Sequence, residues 1–229
     1  MPTQVEAVTL DIDRTLCEYR RSTADLLAEA FDTVGVDPFF TAGEYRDRVF
    51  RYVPRTDTKA ELREACFADL AAERGHDRAV GRRVAAVHTN LRDHRDVEPV
   101  PGAREAVAAL AERYPLAVVT NGAPENQAPK LDELGLADRF ETVVHAGYDT
   151  LAKPDPAPFL DALDALGTAA PATVHVGDGR DDVLGADAAG MRTAWLRRSD
   201  AELDATGRPG TRPHFELGSM RELLDPPWE

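Results

Sequence analysis

With 229 residues, 43% of them hydrophobic, the chain is long enough for one full α/β core and a small second domain. Its formal net charge of −14, from 41 acidic against 27 basic residues, argues against gripping a nucleic-acid backbone through bulk charge. No uncharged apolar stretch is long enough to span a bilayer, and Met1 to Glu6 lack the basic and apolar regions of a secretory leader, so a cytoplasmic protein without membrane contact is expected.

Only three of the basic residues are lysines, Lys59, Lys130 and Lys153, a bias that a halophilic source or a GC-rich genome would each produce. Two cysteines imply no disulfide framework. Cys66 lies on an apolar helical face, and Cys17 is expected to pack rather than to react.

In chain order, the apolar and β-branched run Val5 to Leu10 predicts a buried strand. Asp11 and Asp13 follow it in Asp11-Ile12-Asp13-Arg14-Thr15, at the carboxyl end where open parallel sheets bind ligands. A carboxylate there can act as nucleophile, metal ligand or acid/base, although an acidic turn capping a helix has the same pattern.

From Ser22 to Val53 the pattern is helical throughout. Leu26, Leu27, Ala30, Phe31 and Val34 recur at helical spacing until Gly35, and Thr41 with Glu44 makes a capping box ahead of Tyr45, Val49, Phe50 and Val53. After Pro54, a second box of Thr58 with Glu61 precedes Leu62, Cys66 and Leu70, and Val80, Val84, Val87 and Leu91 mark a fourth helix. Four helices with no strand between them predict a separate bundle.

Pro99, Pro101 and Gly102 then punctuate a return to β-α alternation. Strands are expected over about 116–120, 141–144, 173–176, 193–196 and near His214, with helices over 103–113, 125–134, 156–166, 181–188 and 219–224. The fold class is therefore α/β, a doubly wound parallel sheet with an inserted α-helical domain. The expected core is residues 1–17 and 98–229, with 18–97 as the insert.

Three further motifs follow the first in fixed order: Val118-Val119-Thr120-Asn121-Gly122, Lys153-Pro154-Asp155-Pro156, and Val174-His175-Val176-Gly177-Asp178-Gly179-Arg180-Asp181-Asp182. Jointly the four resemble the signature of the haloacid dehalogenase-like (HAD) hydrolase superfamily, from about Val5 to Leu224. The segments Gln127 to Phe140 and Lys153 to Phe159 are similar to those of its helical-cap branch of phosphoglycolate phosphatase-like enzymes, and Thr120-Asn121-Gly122 resembles nucleotidase-like relatives equally.

The resemblance implies strand order 3-2-1-4-5, one pocket shared by the four motifs, and the helical insert as a cap above it. It implies that Asp11 is a nucleophile forming an aspartyl-phosphate, and that Asp13 protonates the leaving alkoxide and then activates water. Asp11, Asp178 and the main-chain carbonyl of Asp13 would bind Mg²⁺, with Asp182, or else Asp181, orienting the metal's waters. Thr120 and the amide of Asn121 would hold phosphoryl oxygens, and Lys153 would offset charge on phosphate and nucleophile. Like charges at roughly 4 Å and an effective dielectric of about 20 cost on the order of 4 kcal/mol per pair, so gathering these carboxylates itself implies a cation.

The implied function is Mg²⁺-dependent hydrolysis of a small phosphorylated metabolite by a monomer or homodimer. Alternatives are a phosphomutase, a 2-haloacid dehalogenase, or a non-catalytic member binding a phospho-ligand or protein. Dehalogenases displace halide and need no acid at the position of Asp13, so its presence favours phosphoryl transfer.

Arg14 stands where the family usually has glycine and is expected to point to solvent, with contact to phosphate or to Glu18 as the alternatives. His145 is expected to be structural. The basic cluster Arg46, Arg48, Arg51 and Arg55 is either a solvated face paired with Glu44 and Asp47 or a specificity surface on which Arg46, Arg51 or Arg55 meets a second anionic group.

Overall fold

The computed structural model describes residues 4–49, 51–52, 58–198 and 212–229. Two compact units are present, one of Met1–Tyr19 with His94–Glu229, the other of Arg20–Asp93.

The first unit is built on six strands, of which the central three are buried along their whole length rather than on alternate residues, the pattern of a sheet covered on both faces. Strands β1 (Ala7–Leu10), β4 (Leu116–Thr120), β5 (Thr142–His145), β6 (Thr173–Gly177), β7 (Arg192–Leu196) and β8 (Phe215–Leu217) run parallel in the order β5-β4-β1-β6-β7-β8. The first five have the expected 3-2-1-4-5 order, and β8 extends the sheet by one strand. Because side chains alternate across a strand, Leu116 and Val118 pack with α5 (Ala103–Ala111) and α6 (Pro124–Leu134), while Ala117 and Val119 pack with α7 (Ala157–Leu166) and α8 (Arg180–Ala188).

Sequence periodicity gave no sign of a two-stranded antiparallel ribbon, β2 (Cys17–Tyr19) against β3 (Val97–Pro99). These runs of three residues are too short to carry a period-2 pattern. The ribbon ties both crossing segments to the sheet unit, so the compact units divide at Arg20 and Asp93, inside the 18–97 limits expected for the insert.

The second unit comprises α1 (Thr23–Val34), α2 (Ala42–Val49), α3 (Lys59–Glu73) and α4 (Arg78–Leu91). As expected, the helical stretch from Ser22 onward forms two helices, the first ended by Gly35, which turns left-handed at φ 74°. Both expected capping boxes form, Thr41 with Glu44 and Thr58 with Glu61, and Ser22 with Asp25 makes a third. The unit's core is aromatic: Phe40 meets Phe31 and Phe67 edge-on at 5.2 and 4.6 Å, and Tyr45 meets Phe67 at 5.0 Å. No helix among the described residues is long and apolar enough to cross a membrane.

Candidate active site

Placing β1 between β4 and β6 brings three motif-bearing strand ends side by side. Asp11 directly follows β1 and is anchored by its N–H to the Val176 carbonyl at 3.0 Å. Lys153 follows β5 in the chain, and its ammonium lies at the centre of the cluster. Its Nζ donates to Asp11 Oδ1 at 2.8 Å, to Asp182 Oδ1 at 2.6 Å and to the Val119 carbonyl at 2.9 Å, filling all three donor positions. Burial alone would lower the pKa of Lys153, but the carboxylates of Asp11 and Asp182 outweigh it and hold the ammonium charged.

Asp182 is almost fully buried. Burial works to raise its pKa, yet Lys153 and His175 hold the carboxyl well below the ordinary carboxylate range. Its Oδ2 accepts the Gly179 N–H at 2.9 Å and its Oδ1 lies 3.3 Å from His175 Nε2. His175, kept neutral chiefly by burial, presents Nδ1 to the Thr9 hydroxyl at 2.8 Å. A side chain at Gly177 would collide with the Asp182 carboxylate, so glycine there is what lets Asp182 approach the strand end.

A second hydrogen-bonded group surrounds Asp13. Gln127 Nε2 donates to Asp13 Oδ2 at 2.9 Å and to Thr120 Oγ1 at 3.0 Å, and Lys130 Nζ lies 2.5 Å from Asp13 Oδ1. Gln127 reaches these positions across Gly122, where any Cβ would overlap the glutamine side chain.

Asp178 completes the acidic cluster. Asp11, Asp178 and Asp182 each offer a carboxylate oxygen within 4.8 Å of the others. Burial, with repulsion from Asp182 and Asp11, pushes Asp178 up to about 8; burial, partly offset by Lys153, pushes Asp11 up to about 6. Positive charge is thus in deficit at Asp11 and Asp178, and their hard oxygens fit a divalent cation such as Mg²⁺. Asp182 has both oxygens engaged with Lys153, His175 and Gly179, which suits it to orienting its neighbours.

Arg14 does not point to solvent as expected. Its Nε lies 3.1 Å from Asp178 Oδ2, and the residue adopts φ 65°, the left-handed conformation that glycine takes at less cost. Attraction to a half-buried carboxylate explains the orientation, and Glu18 pairs instead with Arg198.

Asn121 uses its side chain to clamp the Lys153 backbone, donating from Nδ2 to the carbonyl at 3.0 Å and accepting the N–H on Oδ1 at 2.8 Å. Thr120 is buried with its hydroxyl on Gln127, and Asp181 is half-buried beside Asp182. His145 donates from Nδ1 to the Gly122 carbonyl at 3.0 Å, bracing the loop after β4. Cys17 is buried, and burial with the nearby Asp13 carboxylate pushes its thiol up to about 12, consistent with packing.

Of the basic cluster, Arg46 and Arg51 are exposed and Arg55 lies outside the described residues. Arg48 pairs with Glu73 and Glu44 with Arg74, so the expected pairing of the cluster with Glu44 is replaced by contacts to α3 and its end.

Sequence reasoning singled out neither Gln127, Lys130, Thr9 nor His175. Two signals were present: a polar pair at i, i+3 on a helix that must bury one face, and a histidine inside an otherwise apolar strand.

A family model described as haloacid dehalogenase-like hydrolase matches residues 5–190. The phosphoserine phosphatase of Thermus thermophilus is 33% identical over 89% of this chain and 74% of its own length. The phosphoglycolate phosphatase of Neisseria meningitidis is 31% identical over 96% and 93%. Among solved structures, a 2-haloacid dehalogenase from Pseudomonas syringae pv. Tomato is 29% identical, with a TM-score of 0.64 over 97% of each chain. Sequence match, sheet order and relatives agree: the chain belongs to the haloacid dehalogenase-like hydrolase family.

Proposed function

We propose that the protein is a Mg²⁺-dependent phosphomonoester hydrolase acting on a small phosphorylated metabolite through an aspartyl-phosphate on Asp11. The observation that carries the reading is Asp13, a carboxylate two residues beyond the nucleophile position and held by two donors. Displacement of halide needs no proton donor, whereas expulsion of an alkoxide does. Relatives named phosphatases over nearly the whole chain support the same choice.

In the first half-reaction an Asp11 carboxylate oxygen bonds to phosphorus as the ester oxygen departs with a proton from Asp13. In the second, water bonds to the same phosphorus, gives its proton to Asp13, and the Asp11–phosphorus bond breaks to release inorganic phosphate. Lys153 compensates charge on Asp11, and Thr120 with the Asn121 N–H holds phosphoryl oxygens. A Mg²⁺ ion held by Asp11, Asp178 and the main-chain carbonyl of Asp13 would supply further charge neutralisation at the phosphoryl group. Asp182 fixes Lys153 in register with Asp11.

The test is phosphate release from a panel of phosphorylated metabolites, with and without Mg²⁺, at low and multimolar KCl, beside chloride release from 2-chloropropionate. The expected result is Mg²⁺-dependent phosphate release that Asp11→Asn reduces by on the order of a thousandfold or more. Chloride release without phosphate release would assign the dehalogenase chemistry instead. Turnover that requires a sugar bisphosphate would indicate a phosphomutase.

A further inference from the structure

Helix α6 buries two residues that apolar packing does not explain. Lys130 is 2% exposed, and its ammonium meets Asp13 and the ring of Tyr19, whose centroid lies 4.6 Å from Nζ. Gln127 is 1% exposed and spans from Asp13 Oδ2 to Thr120 Oγ1. Burying a long charged side chain is costly unless a fixed partner offsets the loss of water, and an aliphatic residue would fill the same space without that cost. Each oxygen of Asp13 has its own donor, and both donors come from one helix at i, i+3 spacing. The same glutamine ties this carboxylate to the hydroxyl expected to hold phosphate.

We propose that Gln127 and Lys130 are positioning residues for Asp13, fixing its carboxylate in one orientation and at a set distance from Thr120. The inference rests on the phosphatase reading, in which Asp13 meets the leaving oxygen. Tyr19 backs the ammonium with its ring face and anchors itself through its hydroxyl, 2.6 Å from His94 Nδ1. A loose Asp13 would still leave Asp11 able to attack, so its looseness would be felt most where the departing oxygen needs a proton. Displacement of a catalytic group by about 1 Å costs roughly a hundredfold.

The measurement is kcat and KM for two esters, an alkyl phosphate and p-nitrophenyl phosphate, whose leaving group departs readily without a proton. Wild type, Asp13→Asn, Lys130→Met, Lys130→Arg and Gln127→Leu are compared. We expect kcat for the alkyl ester to fall roughly ten- to a hundredfold in Lys130→Met and Gln127→Leu, at least about tenfold more than for the aryl ester, with KM little changed. Lys130→Arg should recover part of the loss, and Lys130→Met added to Asp13→Asn should cost little further.

Equal losses on both esters, or full additivity with Asp13→Asn, would overturn the proposal. If Lys130→Met does not fold, as judged by thermal melting, Gln127→Leu and Lys130→Arg decide alone. A wild type with no Asp11-dependent turnover defeats the phosphatase reading itself. An active wild type in which Asp13→Asn shows the ester selectivity and the α6 variants do not defeats only this inference.

Discussion

The two units bury different things. Among the described residues the helical unit encloses a single polar side chain, His88, beneath its phenylalanine cluster, whereas the sheet unit encloses eleven, among them Asp11, Gln127, Lys130, Lys153, His175 and Asp182. A packed aromatic core gains from every atom it removes from water. A buried charged network gains only if every member keeps its partner, because each group left alone carries its full desolvation cost. Mutations should therefore fail in different ways in the two places.

The largest effect is expected at Lys153. Lys153→Met keeps the volume but strands Asp11 and Asp182, and breaking a buried pair on one side typically costs about 3–5 kcal/mol. Turnover should also fall by on the order of a thousandfold. Adding Asp182→Asn should restore part of the melting temperature and none of the turnover. Recovery of both would mean that Lys153 serves the fold alone. A matching truncation in the helical unit, Phe67→Ala, should cost about 3–5 kcal/mol through the cavity it leaves, and no second mutation of a charge should recover it.

Acidity should separate the units by sign. Asp11 and Asp178 have pKa values raised from the ordinary 3.8 to about 6 and about 8, so they bind protons more tightly folded than unfolded. Their stabilisation is complete below that ordinary value and is lost as pH rises through about 6 and about 8. His88 is lowered from 6.5 to about 4, by burial and then by Arg63 and Arg92, so its contribution is lost as pH falls through that interval. At pH 4 this amounts to on the order of 3 kcal/mol at full effect. His175 shifts the same way inside the sheet unit, and Asp11 is mostly ionised by pH 6.5, which leaves pH 6.5 to 8.5 as the window in which Asp178 acts nearly alone.

Hydrogen exchange read separately on peptides from each unit, in EDTA, should show the sheet unit loosening across pH 6.5 to 8.5 while the helical unit holds. Saturating Mg²⁺ should remove that slope. His88→Leu should remove most of the acid loss in the helical unit. An unchanged acid slope in that variant would place the loss on other groups.

The contrast also explains what could be read before the structure. Helix caps and buried strands are local patterns, so Thr58 with Glu61 and the run Leu116 to Thr120 were legible with nearly correct ends. The parallel sheet followed from alternation, and its 3-2-1-4-5 order from family resemblance. Partnerships that join distant residues have no local signature. Nothing near Arg14 announces Asp178, 164 positions away, although the glycine usual at its position in the family did point to the left-handed backbone. Gln127 and Lys130 sit in a helix whose apolar face is supplied by Leu131 and Leu134, so their inward direction appears only once Asp13 stands opposite. The ribbon of β2 and β3 was too short to show a period.

Arg14 offers a smaller and more selective perturbation. In the metal-free protein its guanidinium partly neutralises Asp178, the carboxylate proposed to meet Mg²⁺. A divalent ion must compete with that contact. Arg14→Gly should also relax a left-handed backbone costing roughly 1 kcal/mol. The variant should bind Mg²⁺ several-fold more tightly by calorimetry and show a larger melting shift on adding the ion. Equal or weaker binding would mean that Arg14 helps shape the site rather than competing for it.

The smallest expected effects concern how helices begin. In the helical unit α1 and α3 start with side-chain caps on Ser22 and Thr58, which satisfy first-turn N–H groups without help. In the sheet unit α6 follows Thr120 and Asn121, the residues proposed to hold phosphate, and starts at Ala123, which has no side-chain cap. Pro124 has no N–H, and those of Asn126 and Gln127 go to the Ala123 carbonyl, so an anion there would meet the Glu125 N–H and the positive end of the helix. Thr58→Ala should cost about 1 kcal/mol whether or not ligand is present. Ala123→Ser should stabilise the protein by up to about 1 kcal/mol in phosphate-free buffer, since it supplies a missing cap. That gain should shrink when saturating inorganic phosphate takes the same N–H and the same helix end, which thermal melts of the two variants with and without phosphate would show. A gain that persists undiminished would mean that phosphate does not sit at the start of α6.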